Sequence, residues 1–227
     1  MGIEKHSSSI WKVDKFESKM SKSKKVEALF EELAKDSEDP EVIGSEGIES
    51  LCSQCGISDL GDVRALVLCW KLGASTIEPL QPGCIKRGEF EAAMKSMRKE
   101  SIKDLAKMLP SFDTGFMEAK EFRDFYIFVH RFSREDGTQK KFLDNEFVQD
   151  LMPIVLDANR APHLQHFLAF LATRPANEAI TADQWDSFLL FNTTCSIELD
   201  GYDEVNGAWP CLIDDYVEYL QEQGKGK

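Results

Sequence analysis

Asp200-Gly-Tyr-Asp-Glu-Val-Asn-Gly-Ala-Trp-Pro-Cys-Leu-Ile-Asp-Asp-Tyr-Val-Glu-Tyr-Leu220 joins a short acidic turn to an amphipathic helix. Pro210 falls in the first turn of that helix, where its missing N–H removes no intrahelical bond. From there Leu212, Ile213, Tyr216, Val217 and Leu220 recur at helical spacing and form one apolar stripe. Asp214, Asp215 and Glu218 are left mainly on the other side. Such a helix must bury its stripe against others, and the same period runs upstream. Val26, Leu29, Phe30 and Leu33 share a face, and Asp62 to Leu72 is apolar almost all round, so that helix is buried. Glu89–Met97, Ser101–Leu109 and Phe122–Phe132 read as further helices, parted by turn signals at Gln81-Pro82-Gly83 and Pro110-Ser111. Lys140–Leu156 is another, which Pro153 should kink or break near its end. His163–Ala172 carries Leu164, Phe167, Leu168 and Leu171 on one side. Thr181-Ala-Asp-Gln184 has the pattern of a capping box, opening a helix with Trp185, Phe188 and Leu189. No strand set competes, and the expected class is all-α: a single helical domain of about ten helices.

The composition is that of an ordinary globular protein. Of 227 residues, 42% are hydrophobic and 30% charged, enough to bury a real core. No apolar run approaches the roughly 20 residues of a membrane span, so no stable membrane insertion is expected. The start, Met-Gly-Ile-Glu-Lys-His-Ser, lacks the apolar stretch of a signal peptide and has His6 where a myristoylation signal wants a hydroxyl. An intracellular location, cytoplasmic or nuclear, is the expectation. Lys19, Lys22, Lys24 and Lys25 read either as a weak nuclear address or as a solvated tail. Cys52, Cys55, Cys69, Cys84, Cys195 and Cys211 are scattered among mostly apolar neighbours and read as buried thiols. Cys52-Ser-Gln-Cys55 lacks the second pair that a structural zinc site requires.

Charge is distributed unevenly. The formal net charge is −13. Residues 1–25 hold seven Lys against three acids, and this polar stretch reads as a mobile tail. Residues 177–224 hold eleven Asp or Glu and no Lys or Arg. A domain end without a basic residue suits a positively charged partner; its bland alternative is an acidic face that keeps the protein soluble. Either way it offers nothing to neutralise phosphates, so nucleic acid is not an expected partner for this half. Residues 222–227 read as a disordered end.

Short helices rich in Phe and acid raise the question of calcium. An EF-hand loop needs oxygen ligands at its positions 1, 3 and 5, Gly at 6 and Glu at 12. The loop starting at Asp39 places Ile43 at position 5 and Ser50 at 12; that starting at Asp200 places Tyr202 at 3 and Cys211 at 12. Helix-loop-helix pairs are compatible with the sequence, whereas calcium ligand sets are not, and no metal or cofactor is expected. Enzyme motifs are missing as well: there is no G-x-S-x-G, Walker loop or H-E-x-x-H. His163 and His166 share a helix face without a carboxylate or Cys beside them, which reads as a surface coincidence.

The opening stretch resembles the signature end of the defective-in-cullin-neddylation family, whose members share a potentiating-neddylation domain. Ile43-Gly-Ser-Glu-Gly-Ile-Glu-Ser-Leu-Cys52, Cys69-Trp-Lys-Leu-Gly-Ala-Ser-Thr76, Phe122-Arg-Asp-Phe-Tyr126 and Ile180-Thr-Ala-Asp-Gln-Trp185 resemble it in the same order. The resemblance covers residues 26–221. It implies a helical scaffold of EF-hand-like pairs that lack calcium ligands. It implies two partners: a cullin's C-terminal winged-helix domain, and the conjugating enzyme charged with the cullin modifier. Such a scaffold acts as a monomeric co-ligase with no catalytic residue, promoting cullin neddylation and so activation of cullin-RING ubiquitin ligases. The readings left beside it are a calcium-responsive helical sensor and a cullin-binding regulator that does not stimulate transfer.

By the same resemblance, cullin is bound by an Asp-Ala-Asp patch matched here by Asp183, Ala208 and Asp214, with Asp215 and Glu218 as neighbours in its field. An apolar pocket for the acetylated N-terminal Met of the conjugating enzyme is matched by Ile48, Leu68, Cys69, Leu80, Phe132, Leu151 and Ile154. Ile77-Glu-Pro-Leu80 replaces a more polar stretch of the family, and Leu151 stands where an aromatic is common. Many members carry an N-terminal ubiquitin-binding three-helix module, which a tail of about 25 residues cannot form.

Overall fold

The computed structural model describes residues 23–59, 61–73, 83–134, 140–204 and 206–224. The protein is mostly helical, as the periodicity requires, and its helices group into two compact units.

The first unit contains α1 (residues 23–34), β1 (Val42–Ile43), α2 (Ser45–Cys55), α3 (Val63–Lys71), β2 (Ile85–Lys86), α4 (Arg87–Met97) and α5 (Ile102–Ala106). Helix α1 carries the stripe of Val26, Leu29, Phe30 and Leu33. Val26, Phe30 and Leu33 of that stripe are buried, and the Phe30 ring meets Phe90 of α4 at 5.7 Å. Helix α3 buries Ala65, Val67, Leu68 and Cys69, consistent with its apolar sequence. Between the helix pairs, Val42 and Ile43 form an antiparallel ladder with Lys86 and Ile85.

The second unit contains α6 (Ala119–Phe132), β3 (Phe142–Asp144), α7 (Asn145–Val155), α8 (Leu164–Leu171), β4 (Ala179–Thr181), α9 (Ala182–Thr194) and α10 (Cys211–Glu222). The helix-loop-strand-helix arrangement recurs, with β3 and β4 antiparallel and Leu143 opposite Ile180. Its core is aromatic. Trp185 stacks on Tyr126 at 4.5 Å and donates its indole N–H to the Tyr126 carbonyl at 2.9 Å. Phe167 stacks on Phe188 at 4.0 Å, and Tyr216 of α10 stands edge-on to Phe167 at 5.1 Å. Truncating one such ring to Ala costs about 3–5 kcal/mol.

The strands have two or three residues each, too few for an alternating pattern to register, and the class is all-α as expected. Three local readings need correction. Helix α10 continues through Glu222, one residue beyond the expected end, because Leu220 is still buried and holds the last turn. Not all cysteines are buried: Cys211 is exposed at the start of α10 and Cys84 is half-buried. His163, expected at the surface, is fully buried, and its polar partners explain why. Its backbone N–H donates to Asn192 Oδ1 at 2.9 Å, and Nε2 lies 3.0 Å from the Ser196 carbonyl. Nε2 therefore carries the proton, and Nδ1 accepts from the Tyr216 hydroxyl at 3.1 Å.

Pro153 lies inside α7 near its end, where it supplies no N–H to the Gln149 carbonyl, and the helix ends two residues later at Val155. The Thr181 box is present in full. Thr181 Oγ1 accepts from the Gln184 N–H at 3.3 Å, and Gln184 Oε1 accepts from the Thr181 N–H at 2.8 Å. No helix among the described residues is long and apolar enough to cross a membrane.

Candidate functional site

The five acidic-patch positions all lie in the second unit, on α9, on α10 and on the connection between them. The Thr181 box fixes the start of α9 and leaves Asp183 exposed in its first turn, where free backbone N–H groups favour a carboxylate. Among the described residues no ion pair is formed to Asp183. Its helix neighbour Asp186, by contrast, is bound by Arg123 of α6 through Nε at 3.1 Å and Nη2 at 2.5 Å.

Ala208 is exposed in the turn before α10, with φ 48°, in the left-handed region. Gly207 precedes it for a steric reason. A Cβ there would stand 2.3 Å from the Asp203 carbonyl oxygen and 2.4 Å from Trp209 Nε1. The turn is thus folded so tightly that one residue must lack a side chain and the next shows only a methyl.

The adjacent aspartates of α10 have different partners. Asp214 accepts a hydrogen bond at Oδ1 from the Tyr202 hydroxyl at 2.7 Å. Asp215 is gripped by Arg174, whose Nη1 lies 2.8 Å from Oδ2. The same guanidinium reaches Glu178 through Nε at 2.7 Å and Nη2 at 2.6 Å, and lies over the Phe170 ring at 5.2 Å. A cation just upstream of the Lys- and Arg-free stretch therefore meets Asp215 and ties the first turn of α10 to the chain entering β4. Glu218 is exposed, and with Asp214 and Glu204 it acts on the Tyr202 phenol. Burial, followed by the bond to Asp214 and these charges, pushes that phenol well above the usual tyrosine range. Ala208 lies in the turn before α10, Asp214 in the first turn of that helix and Glu218 one turn further on. Asp183 stands on α9, which packs against α10. Neither Tyr202 nor Arg174 was named as a site residue from the sequence: Tyr202 lies within the quoted stretch as a phenol among acids, and Arg174 is a lone Arg outside the acidic run.

The apolar positions are distributed differently. Leu68 and Cys69 are core residues of the first unit, at 0% and 2% exposure, while Ile48 of that unit is half-buried. Burial pushes the Cys69 thiol well up. In the second unit Phe132 and Leu151 are buried and Ile154 is half-buried. Leu80 lies outside the described residues. The acids of the loops considered for calcium are engaged in turns: Asp39 Oδ1 accepts from the Glu41 N–H at 2.9 Å, and Asp203 Oδ1 from the Asn206 N–H at 2.9 Å. Among the described residues no three His, Cys, Asp or Glu side chains converge as a metal ligand set would.

Residues 104–219 match the family model described as cullin binding, a span that includes Asp183, Ala208, Asp214, Asp215 and Glu218. DCN1-like protein 2 of Dictyostelium discoideum is 32% identical over 187 residues, covering 82% of this chain and 66% of that protein. The chain belongs to the cullin-binding, DCN1-like family. DCN1-like protein 3 of Homo sapiens is 30% identical over 203 residues, covering 88% of this chain and 64% of that protein. DCN1-like protein 3 of Xenopus laevis is 29% identical over 210 residues. The chain thus spans just under two thirds of the length of these DCN1-like relatives, and its match with them extends well beyond the cullin-binding span.

Proposed function

We propose that this chain binds the C-terminal winged-helix domain of a cullin through Asp183, Ala208 and Asp214, and that it promotes transfer of the cullin modifier as a non-catalytic co-ligase. The observation that supports this reading most is the state of those three positions. Among the described residues Asp183 is exposed without an ion pair, Ala208 presents only a methyl, and Asp214 is met by the neutral Tyr202 hydroxyl. Lys or Arg side chains of the partner would make charge-assisted bonds to the two aspartates, and the methyl would admit close approach. Asp215, already met by Arg174, is given a mainly structural part here, and Glu218 adds to the field.

The conjugating enzyme is the second partner, engaged through its acetylated N-terminal peptide. In the second unit Phe132, Leu151 and Ile154 are the candidates for that contact, with half-buried Ile154 the most accessible. Transfer consists of attack by a cullin lysine amine on the thioester carbonyl, with the conjugating enzyme's thiol leaving. Holding both proteins makes that encounter effectively intramolecular and lowers the entropic part of the barrier. No side chain of the chain needs to donate or accept the proton.

The test is titration against a cullin C-terminal domain beside an Asp183→Ala, Ala208→Arg, Asp214→Lys variant whose helical fold is verified. Micromolar or tighter binding by the wild type and its loss in the variant are expected. Equal binding by both would move the interface elsewhere. Modifier transfer measured with conjugating enzyme and cullin, with and without saturating chain, tests the co-ligase step; coinciding rates would leave a cullin-binding regulator.

A further inference from the structure

Tyr202 and Arg174 hold the two adjacent aspartates of α10 in chemically different ways. Arg174 orients Asp215 and offsets its charge in part, since the same guanidinium also serves Glu178. The Tyr202 hydroxyl orients Asp214 at 2.7 Å and leaves its charge intact, since a phenol is a neutral donor. The second arrangement delivers a fixed carboxylate with no ion-pair partner among the described residues, whereas Asp215 already shares a cation.

The phenol is itself placed by the connection from α9. Leu199 and Gly201 both have left-handed backbones, with φ 66° and 96°. The Tyr202 N–H donates to the Leu199 carbonyl at 3.1 Å, and the Ser196 N–H to the Asp200 carbonyl at 3.0 Å. A Cβ on Gly201 would stand 2.2 Å from the Thr194 carbonyl oxygen, so this turn packs directly on the end of α9. The Tyr202 ring stands edge-on to Phe191 of α9 at 6.3 Å. Its hydroxyl is thereby carried across to the first turn of α10.

We propose that Tyr202 is a positioning residue for partner recognition, a neutral donor that holds Asp214 in one orientation with its charge available. The proposal rests on the acidic-patch reading of cullin binding. An aspartate that must be ordered on association reduces affinity, and one already ordered does not. Loss of the hydroxyl frees the carboxylate without altering its charge, so affinity falls while its salt dependence does not change.

The experiment is a binding cycle against a cullin C-terminal domain with wild type, Tyr202→Phe, Asp214→Asn and the double variant, at several salt concentrations, alongside thermal unfolding of each. Tyr202→Phe is expected to weaken binding about three- to tenfold with an unchanged salt slope. Asp214→Asn should weaken it further and flatten the slope, and Tyr202→Phe should add nothing in that background. Wild-type affinity for Asp214→Asn would remove the acidic-patch reading, and this proposal with it. A weakened Asp214→Asn beside an unaffected Tyr202→Phe would overturn this proposal alone. So would an equal Tyr202→Phe loss in the Asn background, which would show the phenol acting through the fold or through its own contact. Should Tyr202→Phe lower the unfolding midpoint, Phe191→Leu serves as a control for ring packing; a matching affinity loss there would also overturn the proposal.

Discussion

Gly207 and Ala208 are neighbours in one turn, yet they respond to substitution for opposite reasons. At Gly207 a methyl would enter space held by the Asp203 carbonyl and the Trp209 indole. Gly207→Ala is therefore expected to cost about 2 kcal/mol, read as a lowered urea midpoint with unchanged m. At Ala208 the left-handed strain is already borne by a Cβ and the side chain points to solvent. Ala208→Arg should stay within about 0.5 kcal/mol of wild type in the same measurement while cullin binding is lost. A large stability loss there would mean that the methyl is packed and would spoil its use as a steric probe. His163 shows what periodicity cannot reveal. Its position looks like half of a surface pair, because burial of an imidazole depends on the Ser196 carbonyl and Tyr216 hydroxyl, both remote in sequence. Burial holds its pKa below the ordinary 6.5, and His130 is shifted the same way. The unfolded chain thus binds the proton more readily. Stability from the neutral imidazole is complete above about pH 6.5 and declines as pH falls towards the folded-state pKa. Acidification also relieves repulsion in a chain of charge −13, so the useful quantity is a difference. The stability gap between wild type and His163→Gln should narrow from pH 7.5 to pH 5.5; a constant or widening gap would refute the assignment.

Among the elements, most helices were legible because they carry a stripe long enough to show its period; α2 was not read as a helix, and α5 is a five-residue turn with Leu105 alone buried. The starts of α9 and α10 could be read from the Thr181 box and Pro210. The short ladders β1–β2 and β3–β4 were not, since pairing of Leu143 with Ile180 is a tertiary fact. The concentration of acids was legible as a charge pattern, but the partners of the individual acids were not. Asp214 and Asp215 are identical in composition terms and differ only by the side chains opposite them, Tyr202 and Arg174. The Arg174 bridge joins the end of α8 to α10 and to the approach to β4, with side chains about a quarter exposed at Arg174 and Glu178. Arg174→Met should consequently lower stability by about 1–2 kcal/mol, a value discounted for partial solvent screening. Asp215→Asn should lose part of that and weaken cullin binding less than Asp214→Asn does. Parallel titrations check the order; if Asp215→Asn proved the more damaging to binding at unchanged stability, Arg174 would have to release Asp215 to the partner.

On the scale of the whole molecule, nearly all of the formal −13 belongs to residues 177–224, which carry −11. Such a field accelerates encounter with a basic surface whether or not each acid touches the partner. Contact and field can be separated because they act on different rates. Long-range attraction enters the association rate and is screened within about 10 Å at 0.1 M salt, whereas a short charge-assisted bond chiefly slows dissociation. Neutralising Asp183 and Asp214 to Asn removes two charges from the patch. Changing Asp200 to Asn and Glu222 to Gln removes two from exposed positions of the same acidic run outside it. Both pairs should lower the cullin association rate by a similar factor, and raising salt from 0.05 to 0.5 M should lower the wild-type rate about tenfold or more. Only the Asp183 and Asp214 pair should also speed dissociation, by about tenfold or more. Surface-plasmon kinetics at several salt concentrations measure both rates. If the two pairs changed dissociation equally little, the acidic run would be a steering or solubilising surface and the contacts would lie elsewhere. If association did not respond to salt, the concentration of charge at this end of the chain would have no part in finding the partner.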